Sequence, residues 1–164
     1  MARNIIAAID FSDVTDTVVA RAAELAEAMG SRLWLIHVAT PQPDFMGYEV
    51  GPVYIRDSVA QQLRTQHQHL HRIRQSLLNQ GVDARAMLVS GLPARKILGE
   101  ADRLEATLIV MGSHGHGALF NLLMGTVCNG VLRKSRCPVV VVPARTVQPP
   151  PQTVQVGASE NLGG

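Results

Sequence analysis

Residues Ile5 to Ile9 read IIAAI, and Leu33 to Val38 read LWLIHV. Each run is apolar at nearly every position, so neither strand has a polar side to turn toward water. A strand of this kind must be covered on both faces, which is the situation of parallel strands sandwiched between helices. Between the two runs, Val14 to Met29 carries Ala, Val and Leu at helical spacing, with Ser12 or Asp13 available as the cap and Gly30 as the stop. The three segments make a β-α-β unit, and that unit restricts the chain to the α/β class.

The alternation continues. Pro41, Pro43, Gly47, Gly51 and Pro52 mark residues 39–53 as a loop or lid. A long polar helix follows from Tyr54 to Gln80, with Leu63, Leu70, Ile73 and Leu77 as its apolar stripe and Gly81 after it. Ala84 to Val89 is a third strand. Pro93 to Arg103 is a helix whose first turn accepts proline because that N–H has no intrahelical partner. Ala106 to Met111 is strand four, Val127 to Lys134 a helix, and Pro138 to Val142 strand five. One domain over residues 1–143 is therefore expected, with an open parallel five-stranded sheet and helices on both faces. Residues 144–164, which include QPPPQTVQVGASENLGG, lack a packing pattern and read as a disordered tail.

Bulk properties exclude several functions. A net charge of +2 over 164 residues gives no electrostatic footprint for nucleic acid or a membrane surface. Two cysteines, Cys128 and Cys137, make neither a disulfide framework nor a four-ligand zinc site. The N-terminus lacks a signal-peptide pattern and no stretch approaches a membrane span, so a cytoplasmic protein is expected.

The chemistry concentrates after strand four, in MGSHGHGALFNLLMGTVCNG, residues 111–130. Glycines 112 and 115 let the chain turn with positive φ and let a ligand approach backbone where no Cβ stands. Gly125-Thr126 lies where a helix begins, and unpaired N–H groups with the positive end of the helix dipole attract phosphate there. Thr126 can cap that helix or give its hydroxyl to a phosphate oxygen. The segment is neither a P-loop nor a dinucleotide fingerprint: G-x-x-x-x-G-K-[ST] is missing, and the first strand ends in AIDFSD. No lysine or arginine stands between Gly112 and Gly130, so backbone amides must do most of the holding.

The stretch VMGSHGHGALFNLLMGTVCNGVLRKSRCPVVVVP resembles the nucleotide-binding signature of the universal stress protein family. The spacing G-x2-G-x9-G-[ST] is met by Gly112, Gly115, Gly125 and Thr126. NIIAAIDFSD resembles the family's opening strand, LWLIHV its second, and SGLPARKI follows in the expected order. The resemblance implies strand order 3-2-1-4-5, an adenine nucleotide α-hydrolase-like fold, and a nucleotide at the gap between strands one and four. It places the chain with the ATP-binding subgroup. Carried over residue by residue, Ala8, Ile9 and Asp10 line the adenosine end and Val38 meets the adenine. Met111, Gly112, His114, Gly115, Gly125, Thr126 and Val127 line the ribose and phosphates. Because the segment lacks lysine and arginine, Mg2+ between phosphates is expected alongside the backbone amides. The resemblance also implies a stress-response role and a homodimer joined through the last strand, whose PVVVV composition would be sticky as an exposed edge.

Other residues invite chemistry. Asp10 can accept from ribose hydroxyls or adenine, coordinate a divalent ion, or cap the first helix; Ser12 is the better cap. His114 can donate to phosphate, and His116 stands where the family often has a basic residue. Neither has a partner that makes it a general base, and no catalytic residue is assigned. A nucleotide-dependent regulatory or partner-binding module is therefore favoured over a slow metal-dependent ATPase centred on Asp10. On the long helix, His67 and His71 share metal-ligand spacing while His69 points elsewhere; two imidazoles alone make a thin zinc site, and a solvated face is favoured. His37 and Trp34 read as interior residues, and residues 119–124 as a short helical turn packed on the domain or a partner.

Overall fold

The structure, a computed structural model, describes residues 3–40, 53–113 and 125–143. The chain runs β1 (Asn4–Ile9), α1 (Thr15–Ala28), β2 (Arg32–Ala39), α2 (Val53–Asn79), β3 (Ala84–Ser90), α3 (Pro93–Arg103), β4 (Ala106–Gly112), α4 (Thr126–Lys134) and β5 (Val139–Val142). All pairings are parallel, and the sheet order is β3-β2-β1-β4-β5, as the resemblance implies.

The absence of a polar face on the central strands has its expected consequence. Side chains alternate between two separate cores. Ile5, Ala7, Ile9, Leu33, Leu35, Leu108 and Val110 pack with Val18 and Ala22 of α1 and Leu70 and Leu77 of α2. Ile6, Ala8, Ile36, Ile109 and Met111 pack with Ile97 and Ala101 of α3 and Cys128 and Val131 of α4. Ile5, Ile6, Leu33, Leu35, Ile36, Ile109 and Val110 are fully buried, and burying each such side chain contributes about 1.5–3 kcal/mol. Two helices cover each face, so the chain changes faces between β3 and β4 and leaves a switch point between β1 and β4.

The stops match their residues. Gly30 and Gly81 adopt φ of +57° and +89° after α1 and α2, a region costly for a side chain with Cβ. Pro93 occupies the first turn of α3. Leu70 and Leu77 are buried, and Leu63 and Ile73 half-buried, as the stripe on α2 requires.

The cap of α1 differs from expectation. Neither Ser12 nor Asp13 caps it: Val14 holds the N-cap position without a side-chain hydrogen bond, and the helix starts at Thr15. The reason is orientation. The Asp10 carboxylate accepts both the Ser12 N–H (3.1 Å) and the Ser12 hydroxyl (2.6 Å), which holds Ser12 in the turn preceding the helix, three residues before Thr15. The Ser12 carbonyl accepts from Thr15 N–H instead. Helix α4 begins one residue earlier than expected, with Gly125 at the N-cap.

His37 is buried, with Nδ1 2.9 Å from the Ile9 carbonyl oxygen. Trp34 is half-buried and donates Nε1–H to Asn4 Oδ1 at 3.1 Å, while Asn4 Nδ2 donates to the Leu104 carbonyl at 2.7 Å. Trp34 thus fastens the amino-terminal end of the sheet, opposite the glycine segment. Among the described residues, no helix is long and apolar enough to cross a membrane.

Candidate functional site at the carboxyl ends of β1 and β4

The β1–β4 ladder stops at Ala8↔Met111. Beyond that pair, Ile9 continues with His37 of β2 and Gly112 with Val142 of β5. The two central strands therefore part company at the switch point, each following its outer neighbour. A crevice at this place is where an open α/β sheet binds ligands.

The chain leaves and re-enters this crevice at a fixed point. Ser113 N–H donates to the Val142 carbonyl at 2.8 Å, and the Ser113 carbonyl accepts from Gly125 N–H at 2.9 Å. Gly112 and Gly125, the outer glycines of the spacing, are thereby held beside the same residue. Gly125 adopts φ −55° and ψ 151° and no side chain caps the helix. Asn129 N–H takes the Gly125 carbonyl, at 2.9 Å, as the first helical bond.

This defines an inventory of donors. A helix leaves its first N–H groups without intrahelical acceptors. Gly125 N–H is used by Ser113, so the amides of Thr126, Val127 and Cys128 remain, and they accompany the positive end of the helix dipole. Thr126 is the first helical residue and exposed, not a cap. Arg133 and Lys134 lie in the last turn, at the opposite end of α4, where their charge complements the dipole; Arg133 Nε donates to Asn129 Oδ1 at 3.2 Å.

Apolar candidates divide by face. Ala8, Met111, Val38 and Val127 belong to the cluster on the α3/α4 side, so four of the expected lining residues meet there. The Ile9 side chain is buried in the opposite core, and its carbonyl faces His37 Nδ1; only its backbone lies on the path of β1. Asp10 follows, half-buried, with Oδ1 engaged by Ser12 and Oδ2 without a partner among the described residues. His114, Gly115, His116 and residues 119–124 fall outside the described residues, as do residues 41–52.

Two participants carry no signal in the sequence. Phe11 adopts φ +60°, a left-handed conformation unusual for a residue with Cβ. Its ring sits between His37, at 4.3 Å, and His69 of α2, at 4.5 Å and nearly parallel. The turn from Asp10 to Ser12 is thereby braced by β2 and α2. Ser113 is the other: its role is played by backbone groups, which residue type does not reveal. Cys128, at the start of α4, is buried, and desolvation pushes its thiol above the ordinary value of 9.0.

Residues 1–143 match the Universal stress protein family. A relative from Thermus aquaticus, the universal stress protein in the QAH/OAS sulfhydrylase 3′ region, is 33% identical over 144 residues, covering 87% of this chain and 99% of that protein. Among solved structures, MJ0577 of Methanocaldococcus jannaschii superposes with a TM-score of 0.75 at 24% identity, covering 89% and 99% of the two chains. A universal stress protein in complex with cAMP gives 0.64 at 22% identity over 87% and 97%. One from Archaeoglobus fulgidus in complex with dAMP gives 0.59 at 20% identity over 86% and 97%.

Proposed function

The chain belongs to the universal stress protein family, and from that premise we propose that it binds ATP at the β1–β4 crevice and acts as a nucleotide-dependent regulatory or partner-binding module in stress response. The observation that carries this reading is the Ser113–Gly125 hydrogen bond, which holds the open start of α4 beside the tip of β4 where the central ladder ends. The cAMP and dAMP complexes of similar folds support an adenine nucleotide as the ligand class.

The residues present fit such a ligand. The amides of Thr126, Val127 and Cys128 supply donors for phosphate oxygens without a basic side chain. The free oxygen of Asp10 can accept from ribose hydroxyls or from the adenine amino group. Ala8, Val38 and Val127 offer an apolar edge for the base. Among the described residues no three histidine, cysteine, aspartate or glutamate side chains gather. A Mg2+ ion would accordingly depend mainly on the nucleotide and water for its ligands, with Asp10 as a carboxylate the chain could offer.

On this reading the chain binds ATP and hydrolyses it slowly at most. In-line attack on a γ-phosphate requires a group that orients water and concentrated positive charge on the transferred phosphoryl. The cations of α4 stand at its far end, and the Asp10 carboxylate is committed through Oδ1 to its own turn. Energy put into holding the nucleotide is therefore available to reshape the surface around it and, with β5 as the dimer edge, the contact between two copies.

The test is direct. Nucleotide released by denaturing freshly purified protein is identified by mass spectrometry, and ATP, ADP, AMP and cAMP are titrated calorimetrically into the stripped chain. ATP binding with phosphate release well below about 1 s⁻¹, the low end of ordinary enzymes, is the expected result. Turnover above that rate would replace the module with an ATPase, and failure of all four nucleotides to bind would remove the site.

A further inference from the structure

Helix α2 carries three histidines in five residues, and the structure separates them. His69 is stacked on Phe11 with its ring 12° from parallel, which commits it to the domain. His67 and His71, one helical turn apart, are both exposed, with ring centroids 4.4 Å apart and planes inclined at 55°. Leu70 between them is 1% exposed and anchors the helix on the core, so the pair stands on a firmly seated stretch.

We propose that His67 and His71 form a bidentate surface site for a borderline divalent transition-metal ion of tetragonal preference, of the Cu2+ or Ni2+ class. Neutral imidazole is a donor suited to such ions. An ion bound to an imidazole nitrogen at about 2.1 Å lies about 3.2 Å from that ring's centroid. Two centroids 4.4 Å apart then subtend about 90° at a shared ion, the cis angle of square-planar or octahedral coordination rather than the wider tetrahedral one.

The surroundings leave the site accessible. Arg64 is turned toward Gln61, donating to its Oε1 at 3.0 and 3.3 Å. Arg74 is directed at the sheet, donating to the Ala84 carbonyl at 3.2 Å. Gln75 is held by Asn79 at 3.1 Å. The protein thus contributes two nitrogens, and water or an incoming donor fills the remaining positions. An ion bridging one turn binds the folded helix more tightly than the disordered chain, where the two imidazoles are not held together. At a free concentration 100 times the dissociation constant it shifts the unfolding equilibrium toward the native state by up to about 100-fold.

The experiment uses the full chain, stripped of metal and nucleotide, with Cu2+ and Ni2+ as the probes and Mg2+ as the control. Calorimetry should find one ion per chain. Affinity should fall by more than about tenfold, the least that losing even an outer-shell partner of a ligand costs, in His67→Ala and in His71→Ala alike. The cupric electron-paramagnetic-resonance spectrum should show two imidazole nitrogens in the parent and one in either variant. Because both side chains are exposed, far-ultraviolet circular dichroism should be unchanged, and His67→Gln/His71→Gln repeats the test with shape better conserved. No binding by the parent chain, unaltered affinity in both single variants, or a two-nitrogen signal surviving the double substitution would each overturn the site. ATP affinity is measured alongside: its retention in the variants separates this site from the nucleotide crevice.

Discussion

Thr126→Pro, compared with Thr126→Ala, isolates the amide on which the proposed nucleotide binding depends. Proline has no N–H, fixes φ near −65°, and is well tolerated at the first position of a helix. It also requires extended backbone in the residue before it, and Gly125 already has φ −55° and ψ 151°. Thr126 is exposed and its N–H serves no acceptor among the described residues. The fold should therefore lose nothing, and reduced freedom of the unfolded chain should add up to about 1 kcal/mol of stability. The ligand loses one hydrogen bond to a charged oxygen, about 1.5–3 kcal/mol, which corresponds to roughly 10- to 150-fold weaker ATP binding. Thr126→Ala removes the hydroxyl alone and should cost less than about tenfold, in line with an ordinary hydrogen bond. Calorimetric titration of ATP into the three proteins, with thermal melts to verify folding, measures both effects. A folded proline variant that binds ATP as tightly as the parent would refute the donor inventory at α4. Equal losses in both variants would assign the contact to the hydroxyl instead.

In β5 the carbonyls of Pro138 and Val142 face β4, so alternation turns the N–H and C=O of Val139 and Val141 to the outer edge. Val141→Pro should abolish the proposed edge pairing while keeping the β4 ladder; light scattering should find two copies joined in the parent and single chains in the variant, and a dimer that survives the substitution would place the interface elsewhere. Glu105 is exposed with φ +49°, so Glu105→Gly should relieve about 1 kcal/mol and raise the melting temperature by about 2–4 °C for a domain of this size; a lowered melting point would contradict this. Burial keeps the Cys128 proton on the folded chain after the unfolded chain has released it, so its contribution is intact below pH 9.0 and declines as pH rises through the elevated value. Denaturant midpoints should fall with alkali more steeply in the parent than in Cys128→Ala, and parallel curves would exclude the effect.

Much of the architecture was legible because it follows from local rules that tertiary packing reinforces. IIAAI and LWLIHV have no face for water, and Gly30 and Gly81 stand where left-handed backbone ends a helix. Strand order came from the resemblance, since alternation alone does not say where β4 inserts. The turn after β1 was not legible. Serine before a helix ordinarily caps it, but here Ser12 donates its hydroxyl to Asp10, two residues earlier, and is held in that turn, ahead of the helix that starts at Thr15. Nor does a phenylalanine announce φ +60°; that conformation is sustained by His37 and His69, which lie far along the chain. At the candidate site, the glycine spacing singled out Gly112 and Gly125, whereas their junction through Ser113 consists of peptide groups to which side-chain identity is indifferent.

The Ser113–Gly125 bond has an evolutionary corollary. It fastens both ends of an excursion independently of what the excursion contains, so α4 keeps its seat when residues 114–124 are exchanged. By the loop-closure relation, doubling the length of a connection costs only about 0.6 kcal/mol in entropy. Selection could lengthen, shorten or rewrite that stretch to suit new ligands while the sheet and the helix that frame it stay untouched.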